Sequence, residues 1–130
     1  MSFTRSLTAP QQDFVDIIGR STLPLMAAPM FLVSGPELVI ACARAGIIGS
    51  YPAANARNVD ILREWMAHTR DAIQADRPGA PWSLNMIVHS SYDRFDAELA
   101  LVQEFQPKIV STALGSPRRV LDTVHGYGGI

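Results

Sequence analysis

The feature that most constrains the fold is a regular alternation of short apolar runs with segments of helical periodicity. The apolar runs begin at residues 23, 47, 82 and 108, and the segments between them carry apolar residues three and four positions apart. Parallel strands covered by helices are buried on both faces, so they appear in sequence as near-continuous apolar runs. The alternation therefore predicts an α/β fold with a parallel sheet.

The predicted elements follow one another in a fixed order. We predict buried strands over residues 23–30, 47–51, 82–88 and 108–114, and helices over about 38–44, 58–75, 92–105 and 117–126. A short helix over residues 12–19 precedes the first strand, and residues 127–130 resemble the approach to a fifth strand. The chain is thus expected to form about four βα units in a single domain, with residues 1–22 as a lead-in helix and loop.

Polar and glycine residues mark the predicted helix ends. Ser34 and Glu37 have the spacing of a capping box, in which each side chain bonds to the backbone of the other. Gly46 follows the first main helix at the position where a left-handed residue ends a helix. Asn58 is the predicted N-cap of the next helix, and Ser116 is the predicted N-cap of the last one, with Pro117 in its first turn.

Units of this kind build either an open doubly wound sheet or a closed (β/α)₈ barrel. A closed barrel typically needs about 250 residues. The chain has 130 residues, which is about half of that length.

Charge and composition exclude several classes of function. The 11 basic and 12 acidic residues give a net charge of -1, and Arg118–Arg119 is the one adjacent basic pair, so we expect no nucleic-acid partner. The apolar run from Leu23 to Val33 is too short to cross a membrane and is interrupted by prolines. We therefore expect no membrane association. The single cysteine, Cys42, cannot form an internal disulfide, which fits a cytoplasmic protein. We predict that Cys42 is a small packed residue.

In either parallel fold a ligand binds where the strands end. The predicted strand ends offer small, amide and hydroxyl groups, which suit a neutral aromatic ligand better than a metal ion: Ala28–Phe31, Gly49–Tyr51, Asn85 with His89–Ser91, and Ser111–Ser116.

Three histidines, His68, His89 and His125, lack the spacing of metal ligands. His89 directly follows the third strand, so it is either a site residue or a solvated loop residue. Met26, Met30 and Met86 either face a flavin or fill the core.

Four segments in order carry a resemblance to a known family. The segment Leu23–Met30, followed by a helix and then by Ala45–Gly49, resembles the opening of the nitronate monooxygenases, formerly called 2-nitropropane dioxygenases. The resemblance continues through Trp82–His89, Ile109–Pro117 and Val124–Gly129. It covers about residues 20–130, nearly the whole chain.

The resemblance implies an FMN-dependent (β/α)₈ barrel, of which this chain is the N-terminal half. The implied enzyme is a flavin-dependent monooxygenase that oxidises alkyl nitronates with O₂ to carbonyl compounds and nitrite. Some relatives instead reduce quinones with NADH, or enoyl groups on acyl carriers. In the family the end of the first strand lies against the isoalloxazine ring, and an amide on the third strand contacts the flavin. The matching residues here are Ala28, Pro29, Met30 and Phe31, and Asn85.

The family's catalytic histidine lies in a glycine-rich segment after a later strand, and neither His89 nor His125 matches that segment. The family's FMN phosphate site lies near the seventh and eighth strands. We therefore assign no catalytic residue, and we expect the chain alone to bind FMN weakly or not at all and to turn over negligibly. Three hypotheses stay open. The first is half of a nitronate-oxidising barrel, and the second is a quinone or enoyl reductase on the same barrel. The third is a non-catalytic four-unit α/β module, open-sheeted or dimeric, that binds a ligand or a partner. A half-barrel would be able to self-associate through its exposed face.

Overall fold

The computed structural model describes residues 6–130, which form an α/β arrangement of five α-helices and a three-stranded parallel sheet. The helices are α1 (Ala9–Arg20), α2 (Pro36–Ala45), α3 (Val59–Asp76), α4 (Phe95–Phe105) and α5 (Arg118–Gly126). The strands are β1 (Ser50–Pro52), β2 (Ser83–Ile87) and β3 (Ile109–Ala113), and a 3₁₀ turn, Ala53–Asn55, follows β1. The lead-in helix is α1, while residues 1–5 of the predicted lead-in lie outside the described residues.

The strands join the sheet in chain order. β1 pairs with β2 and β2 pairs with β3, both in parallel. Two further positions extend the sheet. Met26 forms a parallel bridge with Ile48 on the β1 side. On the β3 side, the Ile130 N–H donates to Lys108 O, and the Val110 N–H donates to Ile130 O, both at 2.9 Å. The predicted approach to a fifth strand therefore lies beside β3.

The helices on the face of the sheet follow the same order. α2 packs against α3, α3 against α4, and α4 against α5. The main core lies between these helices and one face of the sheet, where Leu84 and Met86 are fully buried and Tyr51 packs edge-on against Trp65. This succession of neighbours places the four helices in one continuous layer.

α1 lies apart from that layer. Its Ile17 packs with Ile48 and Ile109, which stand near the residues where the strands begin. Lys108 Nζ, just before β3, lies 3.0 Å from the Asp13 carboxylate of α1. α1 therefore covers what we call the amino end of the sheet, and we call the opposite side, where the strands finish, the carboxyl end.

The predicted buried strand over residues 23–30 is wrong except at Met26. Proline has no backbone N–H, so Pro24 and Pro29 cannot donate to a sheet ladder. The Leu25 N–H donates to Leu23 O at 2.8 Å instead of to a neighbouring strand. Both leucines are about half exposed, at 56% for Leu23 and 49% for Leu25. The run is thus an extended segment with one bridge, and the first βα unit is incomplete.

Three other boundaries differ from the prediction. α1 begins at Ala9, where Thr8 and Gln11 form a capping box, and it continues past Gly19. β1 covers residues 50–52, whereas the predicted strand was 47–51. α4 begins at Phe95, three residues later than predicted, because residues 89–94 form turns first.

The predicted capping box at Ser34 is also wrong. The N-cap of α2 is Gly35, and the Ser34 hydroxyl turns toward the preceding loop. The N-cap of α5 is Pro117 and not the predicted Ser116. Ser116 Oγ accepts a long hydrogen bond of 3.4 Å from the Arg118 N–H. The other two predictions are confirmed: Gly46 ends α2 with φ of 79°, and Asn58 caps α3 by accepting from the Ile61 N–H.

Candidate functional site

Because the strands are parallel, the segments that follow them meet at the carboxyl end of the sheet. These segments are residues 27–34 after the Met26 bridge, 53–58 after β1, 88–94 after β2 and 114–117 after β3. Of the five residues implied by the family resemblance, four lie in one of these segments and the fifth lies in the middle of a strand. Ala28–Phe31 lie in the first segment, and Asn85 lies on β2.

A tight turn, which we call the Met30–Ser34 turn, forms the most exposed part of this end. The Ser34 N–H donates to Met30 O at 3.0 Å, and Ser34 Oγ accepts from the Met30 N–H at 2.9 Å. Leu32 has φ of 61°, a left-handed conformation that non-glycine residues rarely adopt. Phe31, Leu32 and Val33 are 68%, 79% and 70% exposed. The turn thus presents adjacent large apolar side chains to solvent, as expected of a binding surface.

Asn55 holds this turn in place, and sequence reasoning missed it. Its Nδ2 donates to Met30 O at 2.9 Å and to Ser34 O at 2.8 Å, while its Oδ1 accepts from the Leu32 N–H at 2.9 Å. One side-chain amide therefore satisfies three backbone groups of a turn more than twenty positions earlier. Since Asn55 stands in the short segment Ala-Ala-Asn-Ala-Arg, no motif or spacing marks it.

The 3₁₀ turn that carries Asn55 is itself held by α4. Arg94 donates to the carbonyl oxygens of Ala53 at 3.3 Å and Ala56 at 2.9 Å. The Glu98 carboxylate lies 3.0 Å from the same guanidinium and accepts from the Tyr92 hydroxyl at 2.7 Å. Glu98 is fully buried, and its burial raises the pKa of the carboxyl, against the opposing effects of Tyr92 and Arg94.

Asn85 lies on the sheet face opposite the main core. Side chains alternate between faces along a strand, and its neighbours Leu84 and Met86 both enter the core. In the register of the sheet, Asn85 stands between Pro52 and Ser111. Its Nδ2 donates to Ser111 Oγ at 3.0 Å. The amide also has a carbonyl oxygen that can accept from a ligand.

The sequence left open whether three methionines face a ligand or fill the core, and the structure places them differently. Met86 is fully buried in the main core, and Met26 packs against the smaller cluster beside Ile48. Met30, by contrast, is 43% exposed at the carboxyl end. Of the three, Met30 is the one placed to contact a ligand there. Cys42 is buried in α2, as predicted, and burial raises the pKa of its thiol.

All three histidines are exposed. Nδ1 of His89 accepts from the Ser91 hydroxyl at 2.7 Å and from the Ser91 N–H at 3.2 Å, so His89 organises its own loop. His68 is exposed on α3 and lies 2.7 Å from Glu37. His125 is exposed in the last turn of α5. Across residues 6–130 there is no cluster of three or more His, Cys, Asp or Glu side chains suited to a metal ion.

One member of the arginine pair that follows the last predicted strand is engaged within the protein. Arg119 lies over the Phe95 ring, 3.6 Å from its centroid, and donates to Val88 O at 3.1 Å and His89 O at 3.3 Å. Its guanidinium therefore supports the end of β2. Its neighbour Arg118 is exposed in the first turn of α5.

The best-formed cavity, of about 500 Å³, lies at the amino end of the sheet, away from all five predicted site residues. Its four charged lining residues are basic: Arg20, Arg70, Arg77 and Lys108. The C-terminal ends of α1, α2 and α3 meet there, and cations favour the negative end of a helix. Arg77 donates to the terminal carbonyls of α2 at 3.5 Å. Arg70 and Lys108 pair with carboxylates, and Arg20 donates to a carbonyl of its own helix. These charges therefore have partners within the protein, and we place the candidate site at the carboxyl end instead.

No helix within residues 6–130 has both the length and the apolar character needed to cross a membrane. Comparison with models of known protein families finds no match to the chain. Comparison with curated proteins finds no match either.

Proposed function

We propose that this chain is the N-terminal half of a (β/α)₈ barrel of the nitronate monooxygenase type, and that its carboxyl end forms one wall of an FMN site. The observation that carries the proposal is the order of the elements. Strands join the sheet in chain order, and helices α2 to α5 pack successively in one layer. Within each half of a doubly wound sheet the strands also follow chain order, and the order reverses between the halves. Here the order continues without a reversal from the Met26 bridge, through β1 to β3, to Ile130, as expected of a barrel.

The residues at the carboxyl end fit the ring part of FMN. An isoalloxazine has two apolar faces and an edge of nitrogen and oxygen atoms that needs both donors and acceptors. The exposed side chains of Met30 and Phe31 supply an apolar wall, and Asn85 supplies an amide with both functions. When bound, FMN would supply the redox chemistry with nitronate and O₂, while these residues bind the ring and orient it.

The described residues fit the phosphate part of FMN less well. Arg119 is engaged with the backbone of β2 and with Phe95, and the basic cavity lies at the opposite end of the sheet. We therefore expect the chain to recognise the ring more than the phosphate. We also expect no acceleration of nitronate oxidation above that of free flavin, since neither His89 nor His125 matches the segment that carries the family's catalytic histidine.

Titration with riboflavin and with FMN tests the proposal. We expect both to bind weakly and with similar affinity, because they share the ring and differ in the phosphate. Asn85→Leu removes the amide while keeping the number and branching of the side-chain heavy atoms, and it should weaken both about tenfold, the effect of losing one hydrogen bond. Asn58→Ala, which removes an amide from the N-cap of α3, is the matched control and should leave both affinities unchanged.

Besides the absence of any flavin binding, two results would contradict the proposal. Equal flavin affinity in the wild type and in Asn85→Leu would mean that the ring does not contact this amide. FMN binding far tighter than riboflavin binding would mean that the phosphate, and not the ring, is the group recognised.

A further inference from the structure

We propose that Asn55 is a positioning residue, which fixes the Met30–Ser34 turn in the conformation that receives a planar ring. The inference rests on the proposed function and adds to it a residue that has no counterpart among the five implied by the family resemblance. Asn55 need not touch the ligand, because it acts through the backbone of the turn.

The Asn55 side chain makes three hydrogen bonds to the turn, which use both of its donors and one of its two acceptor positions. Both Nδ2 protons go to carbonyl oxygens, those of Met30 and Ser34, and Oδ1 accepts from the Leu32 N–H. The Leu32 backbone is left-handed and therefore costs conformational energy, so the turn needs contacts that hold it. Asn55 supplies those contacts from a different segment of the chain.

The turn must also keep its apolar side chains away from the core. Phe31, Leu32 and Val33 are each more than two-thirds exposed, although burial of such side chains is favourable in water. A turn free to move would fold these side chains onto nearby apolar surface. Fixing the backbone keeps them presented, so a ring ligand binds without first having to order the turn.

Asn55 is suited to this role because its own position is fixed. Arg94 donates to the carbonyl oxygens of Ala53 and Ala56, which flank Asn55 along the chain. Arg94 is in turn paired with the buried carboxylate of Glu98. A continuous set of hydrogen bonds therefore runs from the first turn of α4, through the 3₁₀ turn, to the Met30–Ser34 turn.

Two substitutions of Asn55 separate the donor function of its side-chain amide from the acceptor function. Asn55→Ala removes all three hydrogen bonds. Asn55→Asp keeps the shape and the acceptor for the Leu32 N–H, but it places a carboxylate oxygen against two carbonyl oxygens where the amide donated. Asn58→Ala is the matched control, because it removes an asparagine three positions away that caps α3 and does not contact the turn.

Two measurements are made on each variant of the full chain: amide hydrogen exchange at Leu32 under native conditions, and affinity for riboflavin. In Asn55→Ala we expect the Leu32 amide to exchange at least about tenfold faster and riboflavin to bind about tenfold more weakly. Asn55→Asp should also bind riboflavin more weakly than the wild type. Asn58→Ala should change neither quantity, even though it lowers overall stability.

The proposal is overturned if Leu32 exchange in Asn55→Ala equals that of the wild type, or if Asn55→Ala loses the protection and still binds riboflavin with wild-type affinity. If the wild type binds no flavin, the proposed function fails. The exchange rate at Leu32 then still decides whether Asn55 holds the turn.

Discussion

The two ends of the sheet are held together by different kinds of contact. At the amino end, α1 packs apolar side chains such as Ile17 against Ile48 and Ile109. At the carboxyl end, hydrogen bonds to backbone groups hold the Met30–Ser34 turn and leave its apolar side chains exposed. In parallel α/β folds, the amino end serves stability and the carboxyl end serves ligand binding. The comparison predicts that substitutions at the two ends have separable effects.

The largest expected effect on stability is at the amino end. Ile17 is 4% exposed, so Ile17→Ala should lower the free energy of unfolding by about 2–4 kcal/mol through lost burial and a cavity. Urea denaturation measures the change. Val15→Ala on the same helix is the control, because Val15 is half exposed, and it should cost less than about 1 kcal/mol. Equal costs for the two would show that α1 is not docked through Ile17.

A smaller effect, and one that depends on pH, is expected at the carboxyl end from Glu98→Gln. Burial raises the pKa of Glu98 in the folded protein, so the folded state holds this proton more tightly than the unfolded state. As the pH rises from the ordinary carboxyl pKa of about 4.3 through the raised value, the wild type should lose stability relative to Glu98→Gln, which cannot titrate. Denaturation at several pH values measures the difference.

Denaturation of Ile17→Ala at the same pH values provides the control. That substitution removes no titrating group, so its difference from the wild type should stay constant with pH. A constant difference for Glu98→Gln as well would contradict the raised pKa.

Loss of the side-chain cap of α3 should lower the free energy of unfolding by about 1 kcal/mol. Asn58→Ala removes the acceptor for the Ile61 N–H, and thermal unfolding measures the loss. Asn58→Asp keeps an acceptor at the positive end of the helix, so it should cost much less. If Asn58→Asp lowers the stability as much as Asn58→Ala does, the Asn58 side chain does not act as a cap.

The smallest effect on stability is expected from Phe31→Ser in the Met30–Ser34 turn. Phe31 is 68% exposed, so the free energy of unfolding should change by less than about 0.5 kcal/mol, while riboflavin affinity falls. Phe14→Ser, on α1 at the other end of the sheet, should leave riboflavin affinity unchanged. Should both variants reduce the affinity equally, the division between the two ends would not hold.

Local signals in the sequence predicted most of the helices and two of the strands closely. The helical face of α3 is buried at Leu62, Met66, Thr69 and Ile73, as its periodicity indicates, and Asn58 and Gly46 act at its start and at the end of α2. β2 and β3 lie within the predicted runs. These features depend on neighbours within one or two helical turns, or on a continuous apolar run, and both are visible in the sequence.

The remaining features depend on partners distant in sequence. The first apolar run looks like a strand, but two prolines leave it with one bridge to Ile48. Ser34 has the spacing of a helix cap, yet its hydroxyl bonds to Met30. Asn55 acquires its role from a turn that lies elsewhere in the chain. Propensity and spacing do not report which of several available hydrogen-bond partners a side chain takes, so these features required the structure.

The order of the strands also has a consequence for how the chain folds during synthesis. Each strand pairs with the one before it, so most of the sheet assembles from contacts between successive units. α1 is the exception. It is translated before α2 to α5, but its partners Ile109 and Lys108 emerge about ninety residues later. Docking of α1 is therefore completed only after the segment that forms β3 has been synthesised.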